Sequence, residues 1–149
     1  MRHNILPTLF VCLIAVSAAC GSSTTAPTSS PDSGITALQI TDVKAGTGIQ
    51  GTNGRILTVN YTGWLYSTSA ADHHGNQFDS SRDPGRQPYS FTLGVNQVIA
   101  GWDQGLLGMR VGGQRTLIIP PSLGYGSRGT TGIPGNSTLV FDVELLDVR

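Results

Sequence analysis

The sequence predicts an α+β domain in which an antiparallel sheet folds over one short helix. In several short runs apolar residues alternate with polar ones, as Leu57, Val59 and Tyr61 do, and a period of two is typical of a half-buried strand. Only residues 98–107 change period, with apolar side chains three and four positions apart, which is the spacing of one helix face. A sheet that covers a single helix is an α+β arrangement.

The alternating runs place the strands along the chain. They begin near Leu38, Ile56, Tyr89, Thr116 and Leu139. Glycine-rich breaks such as residues 51–54 and 124–135 separate the runs, and such breaks are typical of turns in a β-rich domain.

For the helix, Asn96 is the expected N-cap and Gly108 the expected end. Gly101 and Gly105 lie inside it, and glycine weakens a helix because it loses the most backbone entropy on folding. A helix this short is marginal alone, so we expect packing against the sheet to hold it in place.

Charge and residue composition argue against two classes of function, nucleic-acid binding and metal binding. The formal net charge of 149 residues is zero and the arginines are scattered, so nothing favours a nucleic-acid partner, which usually requires a basic patch. His73 and His74 are adjacent in a polar stretch that has no cysteine nearby. Because a structural zinc site needs about four ligands, the sequence predicts a solvated loop there, no metal site and no cofactor.

The first nineteen residues have the pattern of a secretory signal peptide. Arg2 precedes an apolar run over residues 5–19, which is shorter than the roughly 20 apolar residues that span a bilayer. Residues 16–20 read VSAAC and resemble the bacterial lipobox, in which the cysteine is lipidated, although Ser17 stands where leucine is usual. Two alternatives remain open: ordinary cleavage that leaves Cys20 as a free thiol, and a retained anchor.

Three segments are therefore expected: a signal peptide at 1–19, a lipidated Cys20 with a flexible tether at 20–35, and a folded domain at 36–149. Residues 21–34 read GSSTTAPTSSPDSG, a composition with almost nothing to bury. Gly21 carries no signal for retention in the inner membrane. The expected location is the cell envelope, on the periplasmic side of the outer membrane, with a soluble secreted or periplasmic protein as the alternative.

Five motifs point to a family. They are VNYTGWL at 59–65, FDSSRD at 78–83, VIAGWDQGLLGMRVGGQR at 98–115, IPPSLGYG at 119–126 and LVFDVELLDV at 139–148. In order and spacing they resemble the FKBP family of peptidyl-prolyl cis-trans isomerases. One motif such as YTG would be weak, but together they cover most of residues 36–149 and are highly specific.

The resemblance implies a five-stranded antiparallel sheet wrapped around the helix, with an aromatic pocket between them. It implies that Trp102 forms the pocket floor and that Asp79 joins Tyr61 and Arg82, or another arginine nearby, in a polar cluster. Tyr125 and the backbone near Ile99 would hydrogen-bond the bound peptide. The positions implied as catalytic are Tyr61, Asp79, Trp102, Tyr125 and Phe141, and those implied as substrate-binding are Phe78, Tyr89, Val98, Ile99 and Ile133.

The chain differs from compact family members in the lengths of two loops and in the identity of one aromatic residue. Residues 66–77 form a longer loop, and the loop between Tyr125 and Phe141 is slightly shorter. Tyr89 replaces the commoner phenylalanine, which keeps the ring and adds a hydroxyl group.

The function implied is rotation about X-Pro bonds in exported proteins as they fold. No bond is broken in this reaction, so no nucleophile or general base is needed, and none is evident in the sequence. Proline-containing polypeptides are the expected partners and macrolides the expected inhibitors. The helical dimerisation arm of some secreted relatives is missing, which predicts a monomer. The alternative is a chaperone-like binding module with weak isomerase activity.

Overall fold

Six strands and one α-helix form residues 33–149, the part of the chain that the computed structural model describes. The predicted signal peptide, Cys20 and nearly all of the predicted tether lie outside the described residues. The elements are β1 Gln39–Lys44, β2 Ile56–Tyr66, β3 His74–Ser80, β4 Tyr89–Thr92, α1 Ala100–Gly105, β5 Gln114–Ile119 and β6 Leu139–Val148, with a short 3₁₀ helix at Pro121–Leu123.

All strands belong to one antiparallel sheet in the order β1-β5-β6-β2-β3, and β4 also pairs with β2. Strand β2 has 11 residues. Its first part pairs with β4 and its second part with β3, so β3 and β4 share one position in the sheet. The predicted antiparallel sheet around one short helix is confirmed.

The sheet has six strands rather than the five expected, because the sequence pattern does not reveal β3. Its sequence is HGNQFDS, in which Phe78 is the only large apolar residue, so no alternation marks it. His74 begins this strand, and its ring stacks on Trp64 of β2 with centroids 3.9 Å apart and planes 7° apart. The predicted solvated loop at His74 is therefore wrong: an aromatic ring on the neighbouring strand covers the imidazole.

The helix is shorter than predicted and begins differently. Ile99 is its N-cap residue and makes no side-chain cap hydrogen bond, so the predicted cap at Asn96 is wrong. Asn96 instead adopts a left-handed backbone with φ of 59°. The Asp103 carboxylate, from within the helix, accepts the backbone N–H groups of Gly94 at 2.8 Å and Asn96 at 3.0 Å. This carboxylate ties the loop before α1 to the helix.

The two glycines inside α1 bring the helix close to the sheet. A Cβ atom on Gly101 would lie 2.5 Å from the Ile119 side chain, and one on Gly105 would lie 2.8 Å from Leu117. A side chain at either position would therefore require the Ile119 or Leu117 side chain to shift. The glycines that weaken the isolated helix therefore allow the packing that holds it.

The hydrophobic core lies between α1 and the inner face of the sheet. Arg115 of β5 closes its edge: the guanidinium donates to the Gly105 carbonyl oxygen at 2.7 Å and to the Asp42 carboxylate at 2.7 Å. A cation at the carbonyl end of a helix stabilises it. Side chains with no more than marginal exposure include Leu57, Leu93, Leu106, Leu117, Ile119, Leu139 and Leu145.

Residues 33–149 contain no helix with the length and apolar character needed to cross a bilayer.

Candidate active site

A cavity of about 580 Å³ opens beside α1, where β2, β3, β4 and β6 each contribute side chains. Of the ten positions implied by resemblance, all except Ile133 line this cavity. The complete lining is Tyr61, Phe78, Asp79, Arg86, Tyr89, Asn96, Gln97, Val98, Ile99, Trp102, Tyr125 and Phe141.

Trp102 forms the buried floor of the cavity, with only 4 % of its surface exposed. Its ring centre lies 5.1 Å from that of Tyr61 and 5.3 Å from that of Phe141, with the planes nearly perpendicular in both pairs. Edge-to-face contacts of this kind are favourable because ring edges are positive and ring faces negative. The buried indole N–H has no hydrogen-bond acceptor within residues 33–149. The cavity floor is therefore an apolar ring surface whose position is fixed by aromatic contacts on several sides.

A glycine in β2 makes room for the cavity wall. Gly63 pairs with Asp79 on one side and with Phe141 on the other. A Cβ atom at this position would lie 2.7 Å from the ring of Phe141 and 2.7 Å from that of Phe78. The two rings meet edge to face over the glycine, with centroids 5.5 Å apart. The YTG motif therefore provides the space in which these two rings meet.

Asp79 organises the polar side of the cavity. One carboxylate oxygen accepts the Tyr61 hydroxyl at 2.5 Å, and the other accepts a guanidinium N–H of Arg86 at 3.0 Å. Burial, and next the hydrogen bond to Asp79, raise the pKa of Tyr61 to about 12. Tyr61 is therefore a neutral donor at physiological pH. Arg82 instead pairs with Glu144, so Arg86 is the arginine of the polar cluster.

Two buried serines hold the backbone of Tyr61. The Ser81 hydroxyl accepts the Tyr61 N–H at 2.9 Å, and the Ser80 hydroxyl donates to the Tyr61 carbonyl oxygen at 3.1 Å. Their exposure is 4 % and 2 % respectively. These bonds fix the end of β3 against β2, so the serines of the FDSS segment position Tyr61 and Asp79 relative to one another.

Two tyrosines form the mouth of the cavity. Tyr89 and Tyr125 are 42 % and 39 % exposed, and neither hydroxyl has a hydrogen-bond partner in the part of the chain that the structure describes. Burial, followed by the charges of Asp79 and Tyr89, raises the pKa of Tyr125. Because neither hydroxyl group is used within the described residues, both are available to hydrogen-bond a ligand.

Ile133, which the resemblance implied as substrate-binding, lies elsewhere. It is 5 % exposed, packs in the hydrophobic core and does not line the cavity. A tight turn explains its position, because Thr130 and Ile133 exchange two backbone hydrogen bonds of 2.9 Å. Ile133 therefore packs in the core in this structure, and its expected contact with substrate stays a prediction.

Sequence reasoning missed three lining residues. Asn96 and Gln97 belong to the loop before α1, and nothing in the sequence marks them as cavity residues. Arg86 had a partial signal, because an arginine near Asp79 was expected. Its identity depends on how the loop of residues 81–88 folds back, which the sequence pattern does not reveal.

Known proteins with the same features are numerous. Residues 48–146 match the model of the family described as FKBP-type peptidyl-prolyl cis-trans isomerase. An FK506-binding protein of Neisseria meningitidis serogroup A is 51 % identical over 112 residues, which cover 74 % of this chain and 95 % of that protein. FK506-binding protein 1 of Aspergillus oryzae is 44 % identical over 109 residues, or 72 % of this chain and 94 % of that protein.

Solved structures agree. The crystal structure of AtFKBP13 has a TM-score of 0.64 and 37 % identity, covering 75 % of this chain and 93 % of that one. The crystal structure of FkpA from Escherichia coli has a TM-score of 0.65 and 44 % identity, covering 82 % of this chain and 52 % of that one. The chain therefore belongs to the FKBP-type peptidyl-prolyl cis-trans isomerases and is an enzyme of that kind.

Proposed function

We propose that this isomerase accelerates the folding of exported proteins at the cell envelope, and that the cavity over Trp102 is where X-Pro bonds rotate. The observation that carries the site assignment is the buried indole floor, walled by aromatic rings and flanked by the Tyr61–Asp79–Arg86 cluster. The amino-terminal sequence supports the location.

The chemistry needed is modest, because rotation breaks no covalent bond. The barrier of about 18–20 kcal/mol comes from the resonance that keeps the amide planar. A site lowers it by binding the twisted amide more tightly than either planar form. The planar amide has the greater charge separation, so an apolar floor such as Trp102 with Phe141 favours the twisted state once water is displaced.

The polar cluster serves to orient groups rather than to transfer protons. Each oxygen of Asp79 already accepts a hydrogen bond, one from Tyr61 and one from Arg86. In this proposal the carboxylate fixes the Tyr61 ring against the floor, where the two ring centres are 5.1 Å apart. The free hydroxyl of Tyr125 donates to a carbonyl oxygen of the bound peptide and holds it across the floor.

The remaining lining residues bind the substrate through shape complementarity. Val98 and Ile99 are partly buried against the core and lie on the loop that Asp103 ties to the helix. Phe78 and Tyr89 complete the wall from β3 and β4. Together these side chains enclose a proline ring, whose burial favours binding in proportion to the apolar area removed from water.

Exported clients follow from the amino-terminal pattern. A signal peptide at residues 1–19 would direct the chain across the inner membrane, and lipidation of Cys20 would anchor it to the envelope. Ser33 is fixed to the domain, since its hydroxyl lies 2.6 Å from that of Thr138, so the tether would end at about this residue. Uncatalysed X-Pro rotation takes tens to hundreds of seconds, which is slow enough to limit the folding of a newly exported chain.

The proposed partners are proline-containing polypeptides and, as inhibitors, macrolides of the FK506 type, which members of this family bind. We propose a monomer that acts from the periplasmic side of the outer membrane. A soluble periplasmic or secreted enzyme is the alternative if Cys20 is not modified.

Two experiments test this proposal. Mass spectrometry of the mature protein should find a diacylated or triacylated Cys20 at the amino terminus; an unmodified Cys20, or a start at Ala19, would contradict the anchor. Refolding of an exported protein whose slow phase is X-Pro isomerisation should accelerate in proportion to enzyme concentration. An unchanged slow phase, with a short X-Pro peptide still turned over, would contradict the folding role while leaving the isomerase intact.

A chaperone-like binding module is the second candidate, and exposed apolar side chains near the mouth favour it. Tyr89, Val95 and Tyr125 are each more than one third exposed. If binding is the main role, a variant without isomerase activity should still suppress aggregation of an unfolded client as well as the unchanged protein does.

A further inference from the structure

The Tyr89 hydroxyl stands at the cavity mouth on a ring that cannot move far. Tyr89 begins β4 and pairs with Val59 of β2. Its ring stacks on Phe91, with centroids 5.8 Å and planes 20° apart, and meets Tyr61 edge-on at 6.3 Å. Neighbours on two sides therefore fix the ring, while its exposed part is open to solvent and to a ligand.

Nothing in the described chain uses this hydroxyl. The neighbouring Tyr61 hydroxyl is bonded to Asp79, whereas that of Tyr89 has no partner within residues 33–149 although the residue lines the cavity. Tyr89 and Tyr125 line the same cavity. Packing alone explains the ring of Tyr89 but gives its hydroxyl no role.

The distance between the Tyr89 ring and the Trp102 floor limits which part of the peptide the Tyr89 hydroxyl can reach. The Tyr89 and Trp102 ring centres are 6.4 Å apart, with planes at 70°. An extended peptide advances about 3.3 Å per residue, so 6.4 Å is about the span of two residues. When the proline lies on the floor beside the Tyr89 ring, a residue next to the X-Pro pair is the part of the peptide within reach of the Tyr89 hydroxyl.

We propose that the Tyr89 hydroxyl donates a hydrogen bond to a backbone carbonyl of the substrate outside the X-Pro dipeptide, so that the enzyme favours extended polypeptides over minimal X-Pro units. Backbone carbonyls are present in every sequence, so this contact recognises an unfolded chain without reading its side chains. Tyr89 is then a specificity-determining residue for substrate length.

This contact has a distinct kinetic signature. A carbonyl outside the rotating bond has the same surroundings in the planar and twisted states, so its hydrogen bond stabilises both equally. Such uniform binding changes KM and leaves kcat alone. The net worth of one such hydrogen bond corresponds to about a three- to tenfold change in KM.

The test compares Tyr89→Phe, which keeps the ring, with Tyr66→Phe as the matched control. Tyr66 stacks on His73 and does not line the cavity. The substrates are 4-methylpentanoyl-Pro-methylamide, which has only the two carbonyl groups of the X-Pro pair, and acetyl-Ala-Ala-Leu-Pro-Ala-Ala-amide, with cis-trans exchange followed by NMR. For Tyr89→Phe we expect KM for the long peptide to rise about three- to tenfold relative to that for the short peptide, with kcat unchanged. Tyr66→Phe should leave this ratio unchanged.

A change on the substrate side makes the test independent of protein stability. Single peptide groups outside the Leu-Pro pair are replaced by trans-alkene groups, which lack the carbonyl oxygen and carry no charge. For one of these peptides, KM should rise by the same factor with the unchanged enzyme and should not rise with Tyr89→Phe. This is the coupling expected of a direct contact. The proposal is overturned if Tyr89→Phe affects both substrates equally or neither, if kcat falls instead of KM rising, or if no modified peptide shows coupling.

Discussion

Replacement of Gly63 by alanine tests how closely the position of the aromatic rings controls catalysis. The new Cβ atom would lie 2.7 Å from the rings of both Phe141 and Phe78. Carbon atoms are in favourable contact at about 3.5–4.0 Å, so each ring must move by about 1 Å. Phe141 also packs on Trp102, with ring centres 5.3 Å apart, so the displacement should reach the cavity floor.

The magnitude follows from these distances. A misplacement of about 1 Å at a reacting centre can cost about 100-fold in rate, and we expect kcat/KM to fall by about 10- to 100-fold. Overpacking of a well-packed core costs about 1–3 kcal/mol. For a domain of this size that lowers Tm by roughly 4–12 °C, and a thermal melt checks that the variant is folded at the temperature of the assay.

The assay is the protease-coupled decay of the cis form of a chromogenic X-Pro peptide, measured in the cold. Gly51→Ala is the matched control, since its new Cβ atom would lie 3.3 Å from Leu57 and Gly51 does not line the cavity. The control should keep the kcat/KM of the unchanged protein. If Gly63→Ala also keeps it, the placement of the two rings does not limit catalysis and the reasoning is refuted.

Three further predictions concern the cavity and its surroundings. Asp79→Asn removes the charge that Tyr61 and Arg86 share, and we expect kcat/KM to fall about tenfold, the value of one charge-assisted hydrogen bond; unchanged kinetics would contradict the organising role. Because folding raises the pKa of Tyr61 from 10.0 to about 12, its contribution to stability is complete below pH 10 and is lost as pH rises through 12; denaturant titrations should show this loss, and Tyr61→Phe should lack it. Ile133→Ala should cost about 2–5 kcal/mol of stability with little change in KM, whereas a large rise in KM in the folded variant would restore the substrate contact that the resemblance implied.

Much of the fold could be predicted because its period is visible in the sequence. Strand β6 buries Leu139, Phe141, Val143 and Leu145 on one face, and this alternation alone identifies a strand. Strand β3 could not be found in this way. It has no apolar alternation and depends on pairing with β2, which is a contact between segments rather than a local property.

For the site too, some features could be predicted from the sequence and others depend on contacts between distant segments. The family resemblance implied that Tyr61, Trp102 and Phe141 lie in one pocket, and in the structure a helix and two paired strands fix their relative positions. The resemblance could not choose between Arg82 and Arg86, since that choice depends on the path of a loop and on the competing carboxylate of Glu144.

Turns and helix caps are also difficult to predict from a sequence pattern. The cap expected at Asn96 is wrong because the Asp103 carboxylate, arriving from the helix, determines that loop. The position of Ile133 depends on a tight turn with Thr130. Both outcomes result from hydrogen bonds whose partners are set by tertiary structure.

The most direct test of the central claim compares cis-to-trans decay of an X-Pro peptide with the unchanged protein and with Trp102→Leu, each assayed well below its own Tm. We expect strong acceleration by the unchanged protein and loss of most of it in the variant, because leucine cannot form the flat apolar floor. Equal acceleration by the two proteins would show that rotation does not take place over Trp102.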